Sequence, residues 1–213
     1  IKTKLLEEAA KITKRDVVNA KGETAEKYFR EGKEVKHRVT SYVEKVIGKT
    51  FSIKRTPEEQ ALDEIKAKYG NKVHADINNI IKRKEDSSIP KIVLTDDVVY
   101  NKLQKYLNDF VVQLPKDTVL LSEITIYDAK RDLAGTVDVV AIHPDGTVDI
   151  FDWKTRQFSK AEKEEYQGLV SYKRDLYLAQ ISEYRKILKS SYNVEKFDKT
   201  RLIPIGVEYA KDG

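Results

Sequence analysis

The feature that most constrains the fold is a series of three β-patterned segments in the second half of the chain. They are TVLLSEITIYDA, LAGTVDVVAI and TVDIFDWKT, and only HPDG separates the last two. β-branched and aromatic residues bounded by turn residues are typical of strands. A long helical segment at about 159–189 and a final strand, TRLIPIGVEYA, follow. Since at least one connection crosses over, we expect an α/β fold with a mixed central sheet of about four strands flanked by helices.

Helical patterns dominate the chain before these strands. Residues 1–34 are charged and helix-prone, and Ser41 with Glu44 has the spacing of a capping box. Thr56 and Pro57 are typical of a helix start, and Gly70 is expected to end that helix. The predicted helices after residue 34 are SYVEKVIG, TPEEQALDEIKAKYG, a segment at about 71–84, and DDVVYNKLQKYLNDFVVQL. We expect residues 1–50 to form an N-terminal helical appendage or lead-in segment, and residues 51–213 to form the main domain.

The composition excludes several classes of protein. Of the 213 residues, 40% are hydrophobic, which is enough for a core, and none is cysteine. Disulfides, iron–sulfur clusters, cysteine-ligated zinc and thiol catalysis are therefore excluded, and an intracellular location is expected. No apolar segment approaches the ~18 residues that a membrane span needs. The net charge of +5 is compatible with a polyanionic partner.

The ends of the sequence suggest a piece of a longer protein. The chain begins at Ile1 and contains no methionine. We expect the main domain to be incomplete at its C-terminus, where a further helix would follow the last strand.

Two acids and a lysine lie on the hairpin formed by the last two adjacent strands. If Pro144, Asp145 and Gly146 form a three-residue turn, counting outward places Asp138 opposite Asp152. Opposed residues share a face about 5 Å apart, and Lys154, two residues beyond Asp152, projects from the same face. A two-residue turn would instead separate the acids to opposite faces.

This grouping has a chemical interpretation. Two close carboxylates repel each other unless a cation lies between them, and oxygen ligands suit Mg²⁺ or Mn²⁺. A metal, a water molecule and a cationic donor are what in-line attack on a phosphodiester requires. The alternative is that Asp152 and Lys154 are a surface ion pair at a strand end.

These residues resemble the PD-(D/E)XK nuclease superfamily, and in particular its RecB-like branch. That branch also includes CRISPR-associated adaptation nucleases and the mitochondrial genome-maintenance exonuclease. Gly135 to Asp138 resembles its Gly-x-x-Asp strand, and Asp152 to Thr155 resembles its Asp-x-Lys-Thr strand. GNKVHADI resembles its Gly-x-x-x-His helix, QISEY its Gln-x-x-x-Tyr motif, and SEITIYD its first strand. The resemblance covers roughly residues 70–210, and VKHRVTSYVEKVIG weakly resembles a segment that precedes the His helix in some members.

The resemblance implies a site. Its metal ligands would be His74, Asp138, Asp152 and the carbonyl of Trp153. Glu123 would orient a second metal ion or a water ligand, and Lys154 would position or activate the attacking water. Gln180 and Tyr184 would contact the nucleic-acid backbone. Alternatives remain for each: His74 as a packed histidine, Glu123 as a solvent-facing residue, and Gln180 with Tyr184 as helix surface.

The expected substrate is DNA, as single strands or ends, cleaved by a RecB-like exonuclease that requires Mg²⁺ or Mn²⁺. Four basic residues lie near the hairpin: Lys130, Arg131, Arg156 and Lys160. They would contact flanking phosphates or form a solvated rim. A helicase or other domains of a larger polypeptide are expected partners. One alternative is a nuclease fold without activity that binds nucleic acid or assembles a complex. The other is a Mg²⁺-dependent enzyme acting on a small phosphorylated substrate, which the lack of a glycine-rich phosphate loop disfavours.

Overall fold

The computed structural model describes residues 1–18, 22, 24–47, 56–156 and 167–206. Its helices are α1 (Lys2–Ala10), α2 (Val39–Ile47), α3 (Pro57–Glu85), α4 (Asp97–Val112) and α5 (Gln167–Tyr192). Its strands are β1 (Ile12–Val18), β2 (Thr24–Arg30), β3 (Lys33–Glu34), β4 (His37–Arg38), β5 (Val119–Asp128), β6 (Leu133–Ile142), β7 (Val148–Arg156) and β8 (Phe197–Gly206). The predicted α/β fold with a mixed, helix-flanked sheet is confirmed.

The central sheet has five strands. Four of them are hydrogen-bonded in the order β4-β6-β7-β8, and the fifth, β5, also pairs with β6. β5, β6 and β7 are antiparallel neighbours, whereas β8 runs parallel to β7 and β4 parallel to β6. The long α5 makes the crossover from β7 to β8 that a parallel pair requires. The four predicted strands and the predicted crossover are present, and β4 is an additional strand.

Two layers of helices cover the sheet. On one side, here called the α5 face, α1, α2 and α5 pack against residues such as Val140 and Ile150. On the other, the α3 face, α3 and α4 pack against Val139, Phe151 and Trp153. Alternate residues of the same strand thus enter two different cores. Burial on both faces explains why these strands are almost continuously apolar.

The N-terminal residues differ from the prediction. Among the described residues of the segment 1–34, helix is confined to Lys2–Ala10, and β1, β2 and β3 form a separate antiparallel sheet. The alternation of β-branched, aromatic and charged side chains in Ile12–Val18 and Thr24–Arg30 suits a sheet with one covered face. The expectation of a helical appendage was therefore wrong for this segment. The predicted boundary at residue 50 lies outside the described residues.

The segment is also integrated into the main core. Leu5 and Val39 are buried in the α5-face core, and β4 adds two residues to the central sheet. The helix predicted around Ser41 is present but begins at Val39, so Ser41 and Glu44 lie inside it and do not form a capping box.

The sequence predicted that a helix ends at Gly70, and this prediction was wrong. Helix α3 continues through Gly70 to Glu85. A Cβ atom at Gly70 would lie 2.8 Å from the Oγ1 of Thr155 on β7. The glycine therefore allows helix and strand to approach closely, which offsets its low helix propensity. Among the described helices, none is long and apolar enough to cross a bilayer.

Candidate metal centre

The hairpin between β6 and β7 has the predicted three-residue turn. His143 N donates to Thr147 O at 2.9 Å, Gly146 N donates to His143 O at 2.9 Å, and Gly146 has φ 81°. A side chain is disfavoured at this φ, which explains the glycine. The register that pairs Val139 with Phe151 places Asp138 across from Asp152, as predicted.

The paired ladder ends one step before these acids, because β7 separates from β6. Beyond the pair Val139–Phe151, β7 continues beside β8, in which Asp152 pairs with Leu202. The N–H of Trp153 lies beyond this ladder of backbone pairs. It donates to the side chain of Asp138, at 2.7 Å from Oδ2. A buried backbone donor needs such an acceptor. The two acids therefore lie at a fork in the sheet.

A second irregularity places Glu123 of β5 and Asp138 of β6 together. Glu123 falls opposite Asp138, between the pairs Ser122–Val139 and Ile124–Val137. Leu120 packs on the α3 face but Ile124 on the α5 face, and the same reversal separates Val139 from Val137. Strict alternation of side chains along a strand would place Leu120 and Ile124 on one face, and likewise Val137 and Val139. Both strands thus reverse their inside–outside pattern at Glu123 and Asp138.

The backbone of Glu123 accommodates this reversal. Its φ is 50°, and in the described part of the chain it is the one non-glycine residue inside a strand with a positive φ. That conformation costs about 1–3 kcal/mol and is found preferentially at functional sites. Nearby, Ser122 Oγ donates to Asn78 Oδ1 at 2.5 Å and joins β5 to α3.

His74 on α3 faces the two acids. Its Nδ1 lies 3.8 Å from Glu123 Oε1 and 3.6 Å from Asp138 Oδ2. One ligand atom from each residue lies within 4.8 Å of the others. The helix thus brings an imidazole to the acids of β5 and β6, as the resemblance implied for His74 and Asp138. Glu123, expected in an accessory function, belongs to this central group.

Asp152 and Lys154 approach from the other side of the fork. Their neighbours Phe151 and Trp153 lie in the α3-face core, so the two charged side chains project toward α5. Lys154 Nζ lies 2.6 Å from Asp152 Oδ2, which confirms that they share a face. The lysine therefore neutralises Asp152 directly beside the His74 group.

Tyr177 on α5, which none of the sequence motifs includes, contacts this lysine. The Lys154 Nζ lies 4.6 Å from the centre of the Tyr177 ring, a cation–π contact. Tyr177, Gln180 and Tyr184 are spaced by three and then four residues, so they lie on one side of α5. That spacing was the available signal, because it extends the Gln-x-x-x-Tyr motif by one turn.

Gln180 and Tyr184 form a hydrogen bond with each other. Gln180 Nε2 donates to Tyr184 Oη at 2.7 Å, and Tyr184 is 2% exposed. A Cβ at Gly135 would lie 2.8 Å from the ring of Tyr184 and 2.8 Å from Val39, so the glycine provides space for this packing. Gln180 is the more accessible member, and Tyr184 fixes its position.

The charges of the site depend on one another. Burial and the charge of Asp152 raise the pKa of Asp138 to about 7. Burial also raises the pKa of Asp152, against the effect of Lys154. The burial of Lys154 would lower its pKa, but Asp152 and Asp138 hold it above the ordinary value. For His74, burial is likewise outweighed by Glu123 and Asp138, and its pKa is raised.

This electrostatic balance tests whether a cation fits. Burial and the charge of Asp152 raise the pKa of Asp138, so a cation bound beside Asp138 would stabilise its ionised form. Oxygen ligands with one imidazole are a donor set that Mg²⁺ or Mn²⁺ accepts. His74, Glu123 and Asp138 could hold such an ion, with Asp152 beside them. Trp153 positions Asp138 through its N–H, and its ring lies 5.8 Å from Phe110 on the α3 face.

The four basic residues that were predicted to bind phosphates have different surroundings. Arg131 donates to Asp128 Oδ2 at 2.7 Å and Glu183 Oε2 at 2.8 Å, both buried carboxylates, so its charge is already neutralised. This arrangement favours a structural function for Arg131. Lys130 is exposed in the turn between β5 and β6. The side chain of Arg156 and all of Lys160 lie outside the described residues.

Comparison with protein-family models finds no matching family, and comparison with curated proteins finds no match. The function must therefore be inferred from the geometry of the site.

Proposed function

We propose that the chain is a Mg²⁺- or Mn²⁺-dependent nuclease of the PD-(D/E)XK superfamily, RecB-like branch, that hydrolyses phosphodiester bonds of DNA inside the cell, at single strands or ends. The observation that carries the proposal is the convergence of His74, Glu123 and Asp138 beside the Asp152–Lys154 pair at one fork of the sheet. A surface ion pair would explain Lys154 and Asp152 alone. It would not explain three further ligand-type side chains from three other elements, α3, β5 and β6.

Each residue has a function that follows from its position. His74, Glu123 and Asp138 would hold the divalent ion, and Asp152 would complete or orient its ligand shell. The ion would supply Lewis-acid stabilisation of the charge that develops on the phosphate. The Lys154 ammonium, oriented by Asp152 and Tyr177, would hold the attacking water and donate a hydrogen bond to a phosphate oxygen.

The test is cleavage of labelled single- and double-stranded DNA, and of matched RNA, with Mg²⁺, Mn²⁺ or EDTA. We expect metal-dependent cleavage of DNA by the wild type and a loss of at least about 10³-fold for Asp138→Asn and Lys154→Ala. Lys105 and Asp109 form an exposed ion pair on α4, 2.7 Å apart, and provide the matched control. Asp109→Asn and Lys105→Ala should cleave as the wild type does.

Metal binding can be followed separately from cleavage. Trp153 is the one tryptophan in the chain, and its backbone N–H contacts Asp138. Titration with Mn²⁺ should change its fluorescence in the wild type and not in Asp138→Asn. Undiminished cleavage by purified Asp138→Asn or Lys154→Ala, with circular dichroism matching the wild type, would contradict the proposal. Cleavage of RNA alone would change the substrate class.

A further inference from the structure

Two structures flank the candidate metal centre on the same face of the sheet. On one side is α3, which carries His74. On the other is the β1–β2 hairpin, whose Tyr28 hydroxyl lies 3.0 Å from Thr136 Oγ1, itself 3.2 Å from Thr125 Oγ1. Thr136 is two residues from Asp138 on β6, and Thr125 is two residues from Glu123 on β5. The hairpin is therefore fixed beside the candidate metal ligands.

The N-terminal segment carries two cations here, Lys14 on the hairpin and Arg38 on β4. Lys14 pairs with Tyr28 across the hairpin and shares its face, and Arg38 follows on β4. Glu26 lies between the cations: Oε2 is 3.2 Å from Lys14 Nζ, and Oε1 is 3.1 Å from Arg38 Nη2. Each of these three side chains is 33–40% exposed, so a ligand in solution can reach them.

The electrostatics support the same placement. Partial burial would lower the pKa of Lys14, but Glu26 and, more weakly, Glu123 are among the groups that hold it above its ordinary value. Asp16, on the same face, is two residue pairs nearer the hairpin tip and pairs with Glu26.

We propose that Lys14 and Arg38 bind the nucleic-acid backbone next to the cleaved phosphate, and that Glu26 occupies this phosphate site until the substrate replaces it. The inference rests on the proposed nuclease function. Two cations bridged by one carboxylate have the spacing to receive one phosphate group in its place. The N-terminal segment would then form one wall of the substrate cleft.

The hairpin itself provides the controls. Arg15 and Lys27 form the next residue pair, so they lie on the opposite face, where Lys27 contacts Glu34 at 2.7 Å. Binding of a fluorescent single-stranded DNA oligonucleotide to the full chain is measured in Ca²⁺, at several salt concentrations. Lys14→Gln and Arg38→Gln should each weaken binding about fivefold near 0.1 M salt and lower the salt slope by about 0.7. Lys27→Gln should change neither value by that amount.

Glu26→Gln gives the opposite sign and is the decisive variant. Removal of the competing carboxylate should strengthen DNA binding at least about threefold, whereas a purely structural ion-pair cluster would give equal or weaker binding. Thermal unfolding of each variant identifies any that fail to fold. If the wild type neither binds nor cleaves nucleic acid, the proposed function fails. If it does both, and Lys14→Gln and Glu26→Gln bind as Lys27→Gln does, only this inference is overturned.

Discussion

At the scale of single residues, Lys154 shows how the site balances its charges. The ammonium group touches Asp152 on one side and the ring of Tyr177 on the other. A lysine side chain has four rotatable bonds, so two contacts that restrict it reduce the entropy lost when it engages a phosphate. Under the proposed function, Tyr177 would therefore be a positioning residue for Lys154.

Replacement of Tyr177 tests that function. Tyr177→Leu removes the ring face and should lower kcat for DNA cleavage about tenfold with little change in KM. Tyr177→Phe keeps the ring and should retain most of the activity. Equal losses in both variants would instead assign the function to the hydroxyl, and equal wild-type rates would remove Tyr177 from the site.

The sequence predicts the site residues in part. Asp138 across from Asp152 follows from counting along a hairpin, and the structure has that register. The entry of Glu123 into the central group could not be predicted, because it depends on a reversal of side-chain alternation at φ 50°. Sequence patterns assume that alternation continues along a strand. Tyr177 was missed because contact with Lys154 depends on the rotation of α5.

At the scale of elements, two glycines set the distances between helices and strands. Gly135 provides space for Tyr184 and Val39, and Gly70 lets α3 approach β7 at Thr155. Taken from sequence alone, Gly70 was a helix stop, because a glycine after a periodic segment usually is one. The sequence does not contain the tertiary contact that overrides this preference.

A double-variant experiment separates these two effects at Gly70. Gly70→Ala should destabilise the wild type by about 1–2 kcal/mol, since the new methyl group meets Thr155 Oγ1. In a Thr155→Ala background that oxygen is absent, and the same change should stabilise the fold by up to about 1 kcal/mol through helix propensity. Urea unfolding of the four proteins measures both values. The same sign in both backgrounds would contradict the close-contact explanation.

At the scale of the whole molecule, the acids of the site oppose folding when no metal is bound. A carboxyl group whose pKa is higher in the folded chain binds more protons when folded, so rising pH weakens folding until that pKa is passed. Asp138, with a pKa of about 7 against an ordinary value of 3.8, has this effect between those two values. The raised pKa values of His74 and Asp152 act in the same direction.

Metal-free protein should therefore lose stability as the pH rises from about 4 to about 7, and Asp138→Asn should flatten that dependence. Mn²⁺ binds the ionised acids, so the rise in Tm that it causes should be larger at pH 8 than at pH 6. Differential scanning fluorimetry measures both, with Asp109→Asn as the control variant. A wild-type curve that Asp138→Asn reproduces would show that Asp138 does not govern the pH dependence.

The fork in the sheet has a consequence for the order in which the candidate metal centre is assembled during synthesis. The half of β7 that carries Asp152 and Lys154 has left β6 and pairs along its length with β8, which follows it in the chain after all of α5. The ribosome synthesises the N-terminal segments first. In a nascent chain that lacks residues 197–206, Asp152 and Lys154 therefore lie on a strand end without its β8 partner. Asp152 and Lys154 therefore reach their final surroundings only after β8 has been synthesised.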